Sequence, residues 1–226
     1  MDQQLLDVMQ ARHSVRAYRD TPITGDTLAA LQACIEDCNR QSGLHIQLVR
    51  EEPRAFDGFM AHYGKFSGVK NYIAMVGKKG PALEQTCGYW GQRVVLRAQA
   101  LGLNTCWVAM TFAKVSGAYR LDAGEKLCCV IAIGYGRTQG APHKIKTPEQ
   151  VSRADAACPD WFRQGVRAAL LAPTAMNQQK FTLTLQSDGR VQAKPGAGFY
   201  TKLDLGIVKY HFAMGAGADA FTWDRA

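Results

Sequence analysis

The chain has 226 residues, of which 47% are hydrophobic and 20% are charged, and this globular balance excludes a mainly disordered chain. It contains no run of eighteen apolar residues and no basic-then-apolar N-terminal signal, so we expect a cytoplasmic protein that does not enter a membrane. The formal net charge of +8 indicates an anionic partner and leaves open nucleic acid, an anionic membrane surface or a small phosphorylated ligand.

The seven cysteines form an odd set without Cys-x-x-Cys spacing. This pattern predicts reduced thiols and neither a disulfide framework nor a zinc ribbon. Cys34 and Cys38 share one helix face, and we interpret them as structural thiols, with a metal or redox role as the alternative.

The first part of the chain predicts three amphipathic helices. A short one carries Leu5, Leu6 and Met9. The second begins near Thr24 or Asp26, and the third ends at Gly102, a residue suited to a left-handed C-terminal cap. The apolar stripe of the second helix is Leu28, Leu31, Cys34, Ile35 and Cys38, and that of the third is Leu83, Cys87, Trp90, Val94, Ala98 and Leu101.

Three apolar runs have the length of strands, at residues 44–49, 72–76 and 127–133. Gly134 and Gly136 follow the last of these runs, but the third glycine of a dinucleotide-binding loop is missing, so a Rossmann fingerprint is not supported. The alternation of helices and strands is typical of a layered α/β or α+β fold.

A polar stretch at residues 141–157 predicts a surface connection between a first part, residues 1–140, and a smaller second part, residues 158–226. The second part predicts a helix with Phe162, Val166, Ala169 and Leu170, a hairpin around Asp188 and Gly189, and a helix over residues 204–215. Both parts run helix, strand, helix, which leaves an internal repeat open.

Residues 12–16 are the first candidate binding segment. If this stretch is extended, Arg12, Ser14 and Arg16 point to one side, while His13 and Val15 point to the other. Two planar guanidinium groups around a hydroxyl suit a phosphate dianion. A solvated basic face is the alternative interpretation.

Residues 172–179 form the second candidate, a loop between a helix and a strand. Pro173 disfavours helical geometry before it, and the small neighbouring residues leave backbone groups and the Thr174 hydroxyl open to a flat ligand. The amides of Asn177 and Gln179 offer the donors and acceptors that the edge of a heterocycle such as a flavin requires. The alternative is a polar loop that only ends the helix.

In this order, the two segments resemble those of the FMN-dependent nitroreductases. The similarity extends over most of the chain, through the end of the long helix at Leu101-Gly102-Leu103, the stretch Thr105–Val108 and the basic residues of 142–146. It implies an α+β, nitroreductase-like fold that normally dimerises, with FMN in each interface.

This chain departs from the ordinary family pattern. No Ala-Pro loop follows the second predicted helix at residues 39–42, and the loop occurs instead at residues 172–179, in a part without an Arg-x-Ser-x-Arg segment. We therefore expect two similar α+β halves fused as a pseudo-dimer, which makes a monomer with one FMN site per chain. The stretch from Asp204 to Ile207, with His211 and Phe212, is similar to a fused branch of the family.

The resemblance also implies roles for individual residues, and FMN-binding residues are assigned in four groups. Arg12, His13, Ser14 and Arg16 would bind the phosphate and ribityl chain, Lys144 and Lys146 match a basic pair near the phosphate, Pro173, Thr174 and Asn177 would contact the ring, and Ala109 and Met110 stand where the family has glycines facing flavin N5 and O4.

The resemblance implies an NAD(P)H-dependent oxidoreductase in which FMN carries the chemistry and no side chain is strictly catalytic. NADH or NADPH would supply hydride, and the small-molecule acceptor would be a nitro compound, a quinone or a similar molecule. A flavin-binding sensor or carrier with little turnover is the alternative. A nucleic-acid-binding domain ranks last because the basic residues are scattered, and we interpret His211 as structural.

Overall fold

The computed structural model describes residues 3–154 and 158–224. Its helices are α1 (Gln3–Ala11), α2 (Gly25–Ser42), α3 (Phe59–Tyr63), α4 (Leu83–Ala100), α5 (Pro148–Val151), α6 (Asp160–Leu170) and α7 (Thr201–Ala216). Its strands are β1 (Gln47–Val49), β2 (Asn71–Lys78), β3 (Asn104–Val108), β4 (Glu125–Gly134), β5 (Ser152–Ala154), β6 (Phe181–Leu185) and β7 (Val191–Pro195). No helix in these ranges combines the length and apolar character that crossing a membrane requires.

The helix ends follow the local signals in the sequence. Thr24 is the N-cap residue of α2, and Gly43 ends that helix with a φ of 69°. After α4, Gly102 adopts a φ of 78°, and the Leu103 N–H donates to the Ala98 carbonyl at 2.9 Å. Glycine adopts this left-handed conformation at no steric cost, so the long helix ends where its apolar stripe ends.

The chain divides into two compact units, and both are discontinuous in sequence. One consists of residues 11–83 and 93–142 and contains the sheet β1-β2-β4-β3, and we call it the four-stranded unit. The other consists of the described residues of 1–10, 84–92 and 143–226 and contains the sheet β5-β6-β7, and we call it the three-stranded unit.

The four-stranded unit is built around two long antiparallel strands, β2 and β4. They pair from Asn71 opposite Ile133 to Lys78 opposite Glu125, with an irregularity between Met75 and Val76. Seven consecutive residues of β2 are buried, so both faces of this central strand are covered. Strand β3 forms one edge of the sheet and pairs with β4.

The three-stranded unit combines a parallel and an antiparallel strand pair. Strand β5 runs parallel to β6, and β7 is antiparallel to β6. Helices α6 and α7 pack together through apolar side chains, with the rings of Phe162 and Phe212 5.6 Å apart. The stretch expected to be a surface connection, residues 141–157, contains α5 and β5, while its residues 155–157 lie outside the described part of the chain.

Two glycines allow α4 and α7 to approach closely within the three-stranded unit. A Cβ added to Gly206 would lie 2.0 Å from the Gln85 carbonyl oxygen, and one added to Gly88 would lie 2.1 Å from the Leu203 carbonyl oxygen. Backbone oxygens cannot move aside as the end of a flexible side chain can. Side chains larger than hydrogen are therefore excluded at both positions.

His211 of α7 is fully buried beside this helix contact. Its Nδ1 lies 3.0 Å from the Ala168 carbonyl oxygen and its Nε2 lies 2.8 Å from Nε2 of Gln92. Because a carbonyl can only accept, Nδ1 carries the proton and Nε2 accepts from the Gln92 amide. A neutral ring with both nitrogens bonded serves packing in this unit.

Candidate functional site

Residues 12–16 continue from α1 as extended backbone along the edge strand β3. Ser14 forms an isolated parallel bridge with Thr105, and the Val15 N–H donates to the Thr105 carbonyl at 3.0 Å. The segment is therefore fixed to the sheet of the four-stranded unit by backbone hydrogen bonds. This extended form produces the alternation of side chains expected from the sequence.

Arg12, Ser14 and Arg16 share the side that faces the buried thiol of Cys106. Burial raises the pKa of this thiol, while the charge of Arg16, the Ser14 hydroxyl and the charge of Arg12 oppose the shift. The other side of the segment carries Val15, which is buried, and His13, whose Cβ would lie 2.6 Å from a Cβ on Gly140. Two guanidinium groups and a hydroxyl therefore lie close enough to one thiol to lower its pKa.

Arg12 is the most unusual charged group in this segment. Its side chain is only 3% exposed, and in the described ranges no atom accepts a hydrogen bond from its Nε. Burial lowers the pKa of Arg12 to about 10, which the neighbouring Cys106 opposes. A buried guanidinium with an unused donor is costly unless an anion completes it. Arg16 is exposed and lies 5.8 Å above the ring of Phe66.

Ala109 and Met110 directly follow β3 in the four-stranded unit. Ala109 is half-buried, whereas the Met110 side chain is 64% exposed. Both residues lie just beyond the strand end at Val108. Both residues carry side chains at positions where the nitroreductases that this chain resembles have glycines, so this position is more crowded than in those proteins.

The loop of residues 172–179, in the three-stranded unit, has a strained backbone. Met176, Asn177 and Gln179 have φ values of 51°, 55° and 46°. Such left-handed conformations cost non-glycine residues roughly 1–2 kcal/mol each, so the surrounding contacts must hold the loop in place. Within the loop, the Asn177 N–H donates to the Thr174 carbonyl at 2.9 Å.

Gln179 supplies much of that support from inside the loop. Its side chain is 3% exposed, and its Oε1 accepts from the Lys146 N–H at 2.9 Å. Its Nε2 donates to the Lys144 carbonyl at 2.6 Å and to Oδ1 of Asn177 at 2.8 Å. The amide expected to meet the edge of a heterocycle is therefore engaged within the protein and acts as an internal support.

The other predicted ring contacts have groups left for a ligand. The Thr174 hydroxyl accepts from the Gln179 N–H at 3.0 Å, which leaves its own O–H to donate. Nδ2 of Asn177 donates one of its two protons to the Lys144 carbonyl at 2.8 Å, which leaves the other for a ligand, and Pro173 is half-buried. The structure thus brings Pro173, Thr174 and Asn177 together on one loop.

The predicted basic pair lies next to the same loop. Nζ of Lys146 donates to the Gln179 carbonyl at 2.8 Å, whereas the Lys144 side chain is exposed. Lys146 therefore supports the loop directly, and Lys144 contributes its carbonyl to the loop while its ammonium faces solvent.

Asp204, at the start of α7, contacts this loop, and the sequence alone indicated no role for it. It is 3% exposed, and it accepts from the Ala175 N–H at 2.9 Å and from Nε2 of Gln178 at 2.7 Å. Burial raises the pKa of Asp204 to about 6, although these two hydrogen bonds lower it. A single acid within the otherwise apolar stretch 203–208 is the sequence signal that could have identified it.

The shift at Asp204 gives a testable pH dependence of stability. Its folded-state pKa of about 6 lies above the ordinary 3.8, so the folded chain binds this proton more tightly than the unfolded chain. The stabilisation from this proton is complete below pH 3.8, the ordinary pKa, and is lost as the pH rises through the folded-state pKa of about 6. Relative to Asp204→Asn, which does not titrate, we expect the wild-type free energy of unfolding to fall by about 3 kcal/mol over this range.

Urea unfolding of both proteins at a series of pH values measures this difference. Asp219→Asn is the matched control, because Asp219 is an exposed acid of the same unit. This variant keeps Asp204 and should therefore show the same fall in the free energy of unfolding as wild type. A constant difference between Asp204→Asn and wild type would contradict the prediction.

The family model and the similar solved structure given below are both described as nitroreductases. A family model described as "Putative TM nitroreductase" matches residues 4–216. The crystal structure of a "putative nitroreductase" from Thermotoga maritima MSB8 is similar with a TM-score of 0.63 and 19% identity, over 93% of this chain and 82% of that chain. No curated protein matches the sequence.

Two further structures share the fold over part of the chain. A "putative nitroreductase in complex with FMN" from Desulfovibrio desulfuricans has a TM-score of 0.53 and 18% identity, over 67% of this chain and 96% of that chain. A nitroreductase family protein from Streptococcus pneumoniae TIGR4 has a TM-score of 0.52 and 14% identity, over 65% of this chain and 97% of that chain. The α+β, nitroreductase-like fold expected from the sequence is confirmed.

Proposed function

The chain belongs to the family described as "Putative TM nitroreductase", and from this premise we propose that it is an FMN-dependent oxidoreductase. In this proposal NADH or NADPH donates hydride, and a nitro compound, a quinone or a similar small molecule accepts it. When bound, FMN would supply the hydride-accepting and hydride-donating chemistry. The residues of this chain bind and orient it.

The buried guanidinium of Arg12 is the observation that carries the proposal. It has an unused Nε donor, and the Ser14 hydroxyl and Arg16 share its side of the segment. Planar guanidinium groups match phosphate oxygens, and charge-assisted hydrogen bonds of this kind are strong. Arg12, Ser14 and Arg16 suit the phosphate of FMN, and His13, on the other side of the segment, is a proposed contact to the ribityl chain that rests on the resemblance alone.

The remaining proposed contacts come from the loop of residues 172–179 and from the end of β3. Thr174 can donate its hydroxyl proton, and Asn177 presents its amide beside it on the same loop. Pro173 adds an apolar contact for a flat ring. Backbone groups at Ala109 and Met110 would approach the ligand, and the ammonium of Lys144, exposed in the structure, would attract its charge.

We also propose one FMN per chain and a monomeric protein. The support is in the sequence, which has one Arg-x-Ser-x-Arg segment at residues 12–16 and one Ala-Pro-Thr-x-x-Asn loop at residues 172–177. Flavin absorbance against protein concentration, with the mass in solution from light scattering, tests both statements. Two FMN per chain, or one per two chains, would contradict the fused pseudo-dimer.

The activity is tested by following the oxidation of NADH and of NADPH with a nitroaromatic compound and with a quinone. We expect oxidation that depends on both the FMN-loaded protein and the acceptor. A protein that shows flavin absorbance but oxidises neither donor would instead be a flavin-binding sensor or carrier. A protein that binds no flavin would refute both forms of the proposal.

A further inference from the structure

The carboxylate of Asp204 contacts both sides of the strained turn in the 172–179 loop. Met176 and Asn177 are the two consecutive left-handed residues of this loop, and Asp204 binds the residue before them, Ala175, and the residue after them, Gln178. The Met176 side chain is 98% exposed, so its packing adds nothing to the turn. Two hydrogen bonds to one buried carboxylate therefore fix both ends of the segment with consecutive left-handed residues.

The amide of Gln178 is itself fixed in orientation. Its Nε2 donates to Asp204 and also to the Phe199 carbonyl at 2.8 Å. On the other side, a Cβ added to Gly198 would lie 2.7 Å from Oε1 of Gln178. Because both protons of the amide are used and its oxygen fills the space beside Gly198, the amide cannot turn over to suit a neutral partner.

We infer that Asp204 is a positioning residue that holds the 172–179 loop in its ligand-binding form through Ala175 and Gln178. The inference rests on the proposed function, in which Thr174 and Asn177 of this loop contact the flavin ring. Asp204 acts through the loop and does not itself touch the ligand.

The charge of Asp204 is what strengthens these contacts. The hydrogen bonds from Gln178 and Ala175 lower its pKa, so by linkage ionisation must favour the same hydrogen bonds. Burial is the third cause of the shift, and no charged side chain is among the three. The loop contains no ionisable side chain. Elsewhere on α7 and just before it, the ionisable side chains are Tyr200, Lys202, Lys209, Tyr210 and His211. The segments that contact α7 or the loop add Glu84, Cys87 and Tyr89 of α4, Asp160, Arg163 and Arg167 of α6, Lys194 of β7, and His143, Lys144 and Lys146.

The first test measures binding of riboflavin to flavin-free protein by fluorescence quenching at pH 5.0 and pH 7.5. Riboflavin has the ring but no phosphate, so the titration of a phosphate cannot contribute. We expect wild-type binding to weaken about fivefold at the lower pH, where Asp204 is protonated. Asp204→Asn should bind about tenfold more weakly than wild type at pH 7.5 and show no pH dependence.

Two variants make the test specific. Asp219→Asn, the exposed acid of the same unit, should retain wild-type affinity and pH profile. Gln178→Leu removes one of the two contacts and should bind riboflavin with an affinity between those of wild type and Asp204→Asn. In wild type the Gln178 hydrogen bond lowers the pKa of Asp204, so its removal should move the pH midpoint of binding upward. Wild-type binding and pH profile in Asp204→Asn would overturn the inference.

A second measurement separates this inference from the proposed function. In flavin-free wild type, the NMR signal of the Ala175 N–H should titrate with a midpoint near pH 6, and the titration should vanish in Asp204→Asn. An Ala175 signal that does not titrate in wild type overturns the inference, whatever binds. Wild-type protein that binds neither FMN nor riboflavin refutes the proposed function, while the Ala175 titration still shows whether Asp204 holds the loop.

Discussion

Replacing Arg12 and Arg16 together with alanine is expected to give a colourless protein that no longer retains FMN. Both guanidinium groups lie on the Cys106 side of residues 12–16, and hydrogen bonds to charged groups contribute about 1.5–3 kcal/mol each. Losing both should raise the FMN dissociation constant by a factor on the order of 100 to 10,000. Flavin absorbance of the purified protein and a fluorescence titration with FMN measure the loss.

The matched control replaces two exposed arginines of the same unit, Arg19 and Arg50, with alanine. This variant loses the same net charge and should retain FMN, which separates local binding from a general electrostatic effect. Full FMN occupancy in the Arg12→Ala, Arg16→Ala protein would refute the phosphate site.

Replacing Arg12 should weaken FMN binding but stabilise the flavin-free fold. The Arg12→Met variant keeps the length of the side chain but removes a buried charge whose Nε has no partner in the described structure. We expect the flavin-free variant to be about 1–3 kcal/mol more stable than flavin-free wild type, although it binds FMN poorly. Urea unfolding without flavin measures this, and a destabilised Arg12→Met would show that the guanidinium serves the fold instead.

The second large effect is expected at Gly206, where alanine should destabilise the protein severely. The added Cβ would lie 2.0 Å from the Gln85 carbonyl oxygen and 2.8 Å from the Tyr89 nitrogen. Both are backbone atoms of α4, so relief requires the two helices to separate. We expect a loss of about 3–5 kcal/mol in the free energy of unfolding. If the wild-type free energy of unfolding is little larger than this loss, the variant will not be expressed as soluble protein.

Gly80→Ala is the control for this substitution. A Cβ at Gly80 meets no atom within 4 Å and its backbone is not in the left-handed region, so its stability should stay within about 0.5 kcal/mol of wild type. Thermal unfolding of both variants measures the contrast. A Gly206→Ala protein that unfolds at the wild-type temperature would contradict the close contact between α4 and α7.

Regular patterns allowed much of the fold to be predicted. The apolar stripe from Leu83 to Leu101 fixes one face of α4, and Gly102 marks its end, because helix periodicity and a left-handed cap are local properties. Strand β3 had no such pattern, since it begins with Asn104 and Thr105 and has only three further residues. The discontinuous units also have no local signal, because residues 84–92 and 93–100 belong to one continuous helix.

The candidate site could be predicted only in part for a similar reason. Alternation along residues 12–16 placed Arg12, Ser14 and Arg16 on one side, because an extended backbone has a fixed period. The burial of Arg12 and the internal hydrogen bonds of Gln179 depend on residues distant in sequence. A side chain with donors and acceptors looks the same in a sequence whether it binds a ligand or supports a loop.

The bridge between Ser14 and Thr105 links flavin binding to the order of folding. Two segments far apart in the chain must meet before residues 12–16 are fixed in extended form, and such long-range pairings form slowly because loop closure costs entropy. A chain still being synthesised cannot assemble this segment until β3 has emerged and joined its sheet. FMN recruitment would then report completed assembly of the four-stranded unit, and flavin fluorescence could follow refolding in real time.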